Sequence, residues 1–422
     1  MRLHLSFWRV LLVVIIALST PSVVLDYVMH KVGFSMNLFN MALFFISIIV
    51  AIESLRHTEF VAFQRNVLAF FVIVIFYFLI IWNLKIFQAG GERQIFRAML
   101  YGPLLLIIIN DRRFNLEKLT NVLVGVVFIL SALSVIQYFG FLTLTITLAP
   151  SSLPGYEELA VGFGGFQSIE ILTLPRNQGF FSEPTNFAQL LMIPMFMAAY
   201  KVIQKKSLSN YIVLITIITA FITTFSVANF FGVFVGLALF FFYRGRNEYY
   251  KHFKKPSKIF NFLAFAGIMY ALVMFFQITN SNSINDSVLG KDTSGNLTDR
   301  LDRNLLYLNH IQQKPFGDID FQRDTAWNPG FVGTAAIVGG YPLLLILATF
   351  LTMYFHKIIN RLKRSRLLVL YISLISFFVP GLWDLQFYET YFVFIFVYFT
   401  TLIRFEMNGE ELTAEEKAQR LN

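Results

Sequence analysis

Long apolar runs separated by short polar stretches recur along this chain from beginning to end. A membrane helix needs roughly 20 apolar residues, fewer where it is short or distorted. Runs of that kind lie near 7–27, 37–53, 66–86, 95–110, 119–141, 184–202, 210–226, 228–243, 259–278, 336–355, 367–383 and 388–404. The pattern predicts an all-α integral membrane protein with about 12 transmembrane helices. The 210–243 stretch is long enough for two short spans, divided at FSVANF. Two polar-bearing segments between spans are large, about 142–183 and 279–335, and no internal repeat interrupts the series.

Composition agrees with that reading. The chain is 56% hydrophobic and 14% charged, with 50 Phe, well outside ordinary globular usage. It has no Cys, which excludes disulfides, thiolate metal sites and a cysteine nucleophile. Six scattered histidines without a ligand spacing point to no metal and no cofactor. The net charge of +9 is informative through its placement. With the N-terminus inside and twelve spans, 24 of the 34 Lys and Arg fall on the inner side and 10 outside. Basic residues accumulate in cytoplasmic loops, so both termini are expected in the cytoplasm and no nucleic-acid partner is implied. The two large segments then face outward. Residues 1–405 read as a single polytopic membrane domain and 406–422 as a cytoplasmic tail, a short solvated helix or a disordered one. The start, MRLHLSFWRVLLVVIIALST, has the look of a signal peptide, but the apolar run resumes beyond it and reads as an uncleaved first helix.

The chemistry gathers in the outer segments. In PRNQGFFSEPTNFA (Pro175 to Ala188), Arg176 and Glu183 flank QGFFS. Pro184 suits the first turn of a helix, whose free N–H groups make an anion site. Glu183 is either a general base, if burial raises its pKa, or simply a favourable charge at a helix start. In DRLDRNLLYLNH (Asp299 to His310) a helix is predicted from Thr298 or Asp299 to about Lys314, before Pro315. Helical spacing puts Arg300, Arg303, Asn304, Tyr307 and His310 on one face. Two guanidiniums on one face suit a phosphate, and a solvated face paired by Asp299 and Asp302 is the equal alternative. Arg97, near the outer end of the fourth span, is deep enough to reach a lipid phosphate or simply to snorkel.

RNQGFFSEPTNFAQLL resembles the R-x-x-G-x-F-x-E-P-x-x-F-A block of bacterial O-antigen and exopolysaccharide polymerases (Wzy-type). DRLDRNLLYLNHIQQKPFGDIDF resembles the family's arginine-bearing outer helix, and TAWNPGFVGTAAIVGGYPLLLIL its third block leading into a span. The resemblance implies a GT-C-like polytopic bundle in the bacterial inner membrane. It implies a metal-independent glycosyltransferase that moves a growing glycan from undecaprenyl diphosphate to a carrier-linked repeat unit on the outer face. Carried over by motif, Arg176, Arg300 and Arg303 would hold the diphosphate and Glu183 would act as base; Arg97 would join the diphosphate clamp, and Tyr307 and Asn328 would contact substrate. The implied partners are the carrier-linked oligosaccharide, membrane lipid and a chain-length regulator. Related ligases carry a His in the third block where this chain has Trp327, which disfavours a ligase and leaves His310 as a substitute base. The family often carries Ser-Arg between the middle spans, where this chain has Ser226-Val227-Ala228-Asn229, so Arg97 or Arg323 would have to compensate. A flippase or other transporter is the remaining alternative. It would place charge at mid-membrane and show repeated halves, and this chain instead gathers its polar clusters at the outer rim.

Overall fold

The computed structural model describes residues 2–19, 36–82, 90–144, 177, 179, 184–252, 309, 311–317, 331–362, 367–381 and 390–421. Among these residues the fold is all-helical, with one isolated bridge between Thr58 and Asp111. The helices are α1 (Arg2–Leu18), α2 (Met36–Leu55), α3 (Ala62–Trp82), α4 (Gly90–Ile109) and α5 (Leu116–Leu144). They continue as α6 (Pro184–Gln204), α7 (Leu208–Thr223), α8 (Val227–His252), α9 (Phe331–Leu362), α10 (Leu368–Gly381) and α11 (Thr390–Leu421). Four of them, α3, α5, α6 and α9, are long and apolar enough to cross a membrane by length and composition. The run at 259–278 lies outside the described residues.

Burial divides the helices into two kinds. Every residue of α6 from Phe187 to Ala198 is buried, as is every residue of α11 from Thr390 to Ile403. A helix apolar on all sides belongs in the interior of a bundle, and both stretches lie there. The outer helices do the reverse. Ile49 and Ile52 of α2, Phe76 and Ile80 of α3 and Leu345 of α9 are large apolar residues left exposed. A belt of that kind is stable only against lipid or another apolar surface.

Helix contacts follow from particular residues. Gly232 and Gly236 lie one turn apart on α8, and a Cβ at either would collide with Ser376 of α10. This small-residue face lets the two backbones approach closely, as small-xxx-small faces do in membranes. An aromatic cluster fills the interior between α3, α9, α10 and α11. Phe70 stacks on Phe350 with ring centroids 3.8 Å apart, and Phe396 meets Phe378 at 5.0 Å and Phe392 at 4.8 Å. The Tyr354 hydroxyl within it donates to the Phe396 carbonyl at 2.8 Å, so its polar end is satisfied despite full burial.

Hydrogen bonds sort the helix ends into two groups. At one end Arg9 of α1 reaches Asp111 at 2.6 Å and Glu53 of α2 at 2.7 Å. Arg113 closes on Asp111 at 2.7 Å. Beside this cluster Gln64 of α3 bonds Asn110, and Arg404 of α11 donates to the Asn110 carbonyl at 3.1 Å. Burial pushes the Asp111 carboxyl up, and hydrogen bonds from Arg113 together with the Arg9 charge outweigh it, so the net shift is downward. At the opposite end Ser19 meets Thr390 at 3.2 Å, and Tyr77 of α3 bonds the Gly339 carbonyl of α9.

Several boundaries differ from the apolar pattern. The 210–243 stretch breaks at Thr224–Ser226, as the FSVANF division anticipates. α8 continues to His252, past the end of its apolar run at 243, because the lysines and arginines there are good helix formers. The tail is helical to Leu421 as an extension of α11. α9 begins at Phe331 rather than 336 and is broken at Gly340, whose φ of 61 no helix tolerates. Pro342 follows, and its missing N–H fits the break.

Candidate functional site

Within the polar block around 175–188, Asn177 is firmly anchored. Its backbone N–H donates to the Thr223 carbonyl at 2.8 Å. Its carboxamide nitrogen donates to the hydroxyls of Thr223 at 2.9 Å and Ser134 at 3.4 Å, and its oxygen accepts from the Gly179 N–H at 2.9 Å. Asn177 is fully buried, so this one side chain satisfies itself while clasping α5 to the end of α7. The Asn-x-Gly order supplies the turn, with the side chain bonding two residues onward.

Gly179 is required for two reasons. Its φ is +57, and a Cβ there would stand 2.8 Å from the buried Phe187 ring of α6. Gly179 is thereby seated on the first turns of α6, which opens at Pro184. Gly179→Val is expected to lower stability by about 2 kcal/mol from the left-handed backbone alone, before the ring contact is counted. Thermal unfolding of the purified chain checks this, and an unchanged midpoint would refute the seating.

The α7–α8 turn completes the arrangement. Phe225 sits at φ 48, a left-handed conformation that is a genuine outlier for a bulky aromatic residue. The Asn229 carboxamide nitrogen donates to Ser226 Oγ at 2.8 Å and to the Thr185 carbonyl at 3.3 Å. Asn229 therefore ties the start of α8 to the first turn of α6. Its Oδ1, and the Nε2 of Gln189 one turn further along α6, are buried without a partner among the described residues. The same end of the bundle thus holds several amides and hydroxyls in an otherwise apolar interior.

Residues 315–317, which follow the second block, dock elsewhere at that end. Asn309 and Ile311–Gln313 are helical and Lys314 is not, so the helix stops just before Pro315, where the sequence puts its end. The Pro315 carbonyl accepts from the Tyr341 N–H at 2.9 Å, and the turn lies in the break of α9 at Gly340. Tyr77 also donates to the Phe316 carbonyl at 3.4 Å. Asn177, Gly179 and Thr185 are held among α5–α8 and residues 315–317 by α3 and α9, and among the described residues no hydrogen bond joins the two groups.

Arg176, Glu183, Arg300, Arg303, Tyr307, His310 and Asn328 lie outside the described residues, as do Trp327 and Arg323. Arg97 has its backbone in α4, and its side chain is likewise outside them. What is described is the frame: Asn177 directly after Arg176, and Pro184 directly after Glu183. Reading the sequence for charge passed over Asn177, Gly179 and Asn229, although the Asn-x-Gly order was a usable signal. No protein-family model, no curated protein and no solved structure matches this chain.

Proposed function

We propose that this chain is a membrane polysaccharide polymerase of the Wzy type, acting on glycans carried by undecaprenyl diphosphate on the outer face of the bacterial inner membrane. In this reading twelve spans cross the membrane with both termini inside. α8 ends and α9 begins at opposite ends of the bundle, which calls for one further crossing between them, and 259–278 is the apolar run available for it. The observation that carries the functional reading is the clasp formed by Asn177 and Gly179. It supports a fixed position for the block that bears Arg176 and Glu183, at the end of the bundle where α6 begins.

The chemistry needs little from the protein beyond positioning and charge. A hydroxyl of the carrier-linked repeat unit attacks the anomeric carbon of the growing chain. The bond from that carbon to the diphosphate oxygen breaks, and the diphosphate leaves with the electron pair. Glu183 accepts the hydroxyl proton, with His310 as the substitute base. Arg176, Arg300, Arg303 and Arg97 neutralise the leaving diphosphate, and Tyr307 and Asn328 orient sugar hydroxyls. A separate chain-length regulator is the proposed protein partner.

Surface-glycan profiling of a deletion strain, with the lipid-linked intermediates extracted, tests the reading. Loss of the long ladder, with single repeat units still exported and attached, is the expected result. Normal-length polymer stranded on its carrier would make the chain a ligase, which Trp327 disfavours. Repeat units trapped on the inner face would make it a flippase.

A further inference from the structure

The end of the bundle that holds Asp111 and Arg404 also contains a recess that the proposed reaction does not use. It has a volume of about 170 Å³ and lies between α5, α6 and α7, lined by Asn121, Gly125, Lys201, Asn210 and valines. At about 30 Å³ per water, it has room for roughly five waters, and so for a group the size of a phosphate. Lys201, three residues before the end of α6, is its one cationic lining residue. Among the described residues no carboxylate comes within ion-pair distance of it, although Glu117 lies near enough to act on its charge. Other nearby lysines are placed differently. The Lys118 ammonium sits over the Phe7 ring at 5.5 Å, and Lys205 and Lys206 are exposed in the α6–α7 turn.

The polar lining is complementary to a phosphodiester bearing a hydroxyl. The Asn210 carboxamide nitrogen is already committed to the carbonyls of Lys205 at 2.9 Å and Lys201 at 3.4 Å, which leaves its oxygen as an acceptor. Asn121 is exposed and lines the mouth, where its amide can donate. The rest of the recess wall is apolar, formed by Val124, Gly125, Ala198 and Val213. A cation with a neighbouring acceptor, set beside an apolar surface at a helix end, matches a lipid headgroup with its acyl chains alongside.

We propose that this recess is a specific site for an anionic phospholipid headgroup, with Lys201 as the counter-cation of its phosphate. The ordinary alternative is that Lys201 only extends toward water along the apolar stem of its side chain. The two differ in what removing one charge does.

The purified full chain, stripped of lipid in detergent, is titrated with phosphatidylglycerol, phosphatidylethanolamine and inorganic phosphate. Native mass spectrometry and the thermal midpoint are the readouts. Wild type is expected to retain phosphatidylglycerol in preference to the zwitterionic lipid and to be stabilised by it. Lys201→Gln should weaken that association about fivefold, the loss expected of one basic group at an anionic lipid surface. Lys201→Arg should retain it, and the double variant Lys205→Gln/Lys206→Gln should leave it within twofold. Asn121→Leu, at an exposed position, should also weaken it, which keeps the test decisive if Lys201→Gln does not fold. Wild-type binding by both Lys201→Gln and Asn121→Leu would overturn the site. So would an equal loss in the Lys205/Lys206 variant, which would mean bulk surface charge. Saturation by inorganic phosphate at matched concentration would overturn the lipid assignment.

Discussion

Arg176→Ala is expected to abolish the polymer ladder while the protein still inserts at wild-type level, and Arg300→Ala is expected to do the same. In the proposed reaction the leaving group is a diphosphate, so its developing charge is what such an enzyme would have to stabilise. Loss of one preorganised donor to such a charge costs about 10²- to 10³-fold in rate. A processive polymer amplifies that loss, because each added unit repeats the impaired step. Arg176→Lys should recover only part of the activity, since an ammonium keeps the charge and lacks the two parallel hydrogen bonds of a guanidinium. The measurement is turnover of carrier-linked repeat units by membranes at matched expression, read as ladder length on a gel. Full activity in both alanine variants would remove the diphosphate clamp. Asn177→Ala separates charge from position. It keeps Arg176 but removes the carboxamide bonds to Thr223, Ser134 and Gly179, so it should lower both stability and rate.

The helices were legible in the sequence because lipid leaves the backbone no alternative. Each apolar run must satisfy its own N–H and C=O groups internally, and helices do so. The break at Thr224–Ser226 and the helix end before Pro315 were legible for local reasons, a polar interruption and a proline. The extension of α8 through His252 was hidden because charge marks the end of an apolar span and not the end of a helix. The break of α9 was announced by Gly339-Gly340-Tyr341-Pro342, but the apolar run passes through it uninterrupted. What was legible near the proposed site is a composition of arginines and a glutamate at two segment boundaries, residues that themselves lie outside the described ones. The clasp at Asn177 was not legible, because Thr223 and Ser134 are 46 and 43 residues away from it. No local pattern encodes such a partner. The same holds for Arg9 and Asp111, 102 residues apart, neither of which drew notice in a chain read for outer-face chemistry.

Asp111→Ala is expected to destabilise the chain by about 3 kcal/mol, the low end of the cost of breaking a buried ion pair from one side. Asp111 is 1% exposed and Arg9 is 4% exposed. Without the carboxylate, Arg9 keeps Glu53, which is half-exposed, as its partner among the described residues, where its Nε has none already. Arg9→Ala should cost less, because Arg113 still holds Asp111 with hydrogen bonds to both carboxylate oxygens. The double variant Arg9→Met/Asp111→Leu should lie closer to wild type than Asp111→Ala, since replacing both buried charges with apolar groups removes the desolvation penalty along with the attraction. Thermal or denaturant unfolding of the purified chain measures all three, and a double variant no more stable than Asp111→Ala would refute the desolvation argument. The pH dependence follows from the direction of the Asp111 shift. Its folded pKa lies below the ordinary value of 3.8, so its contribution is fully present above that value and is lost as pH falls through the folded pKa. Wild type should therefore lose stability in acid below about pH 4, and Asp111→Asn should flatten that part of the profile. Arg9 belongs to α1, so the same clasp joins the amino-terminal helix to the bundle at the α4–α5 connection. A chain cut after Ala17 or Ser19 would lose α1 and this ion pair together, and it should be at least as unstable as Arg9→Ala.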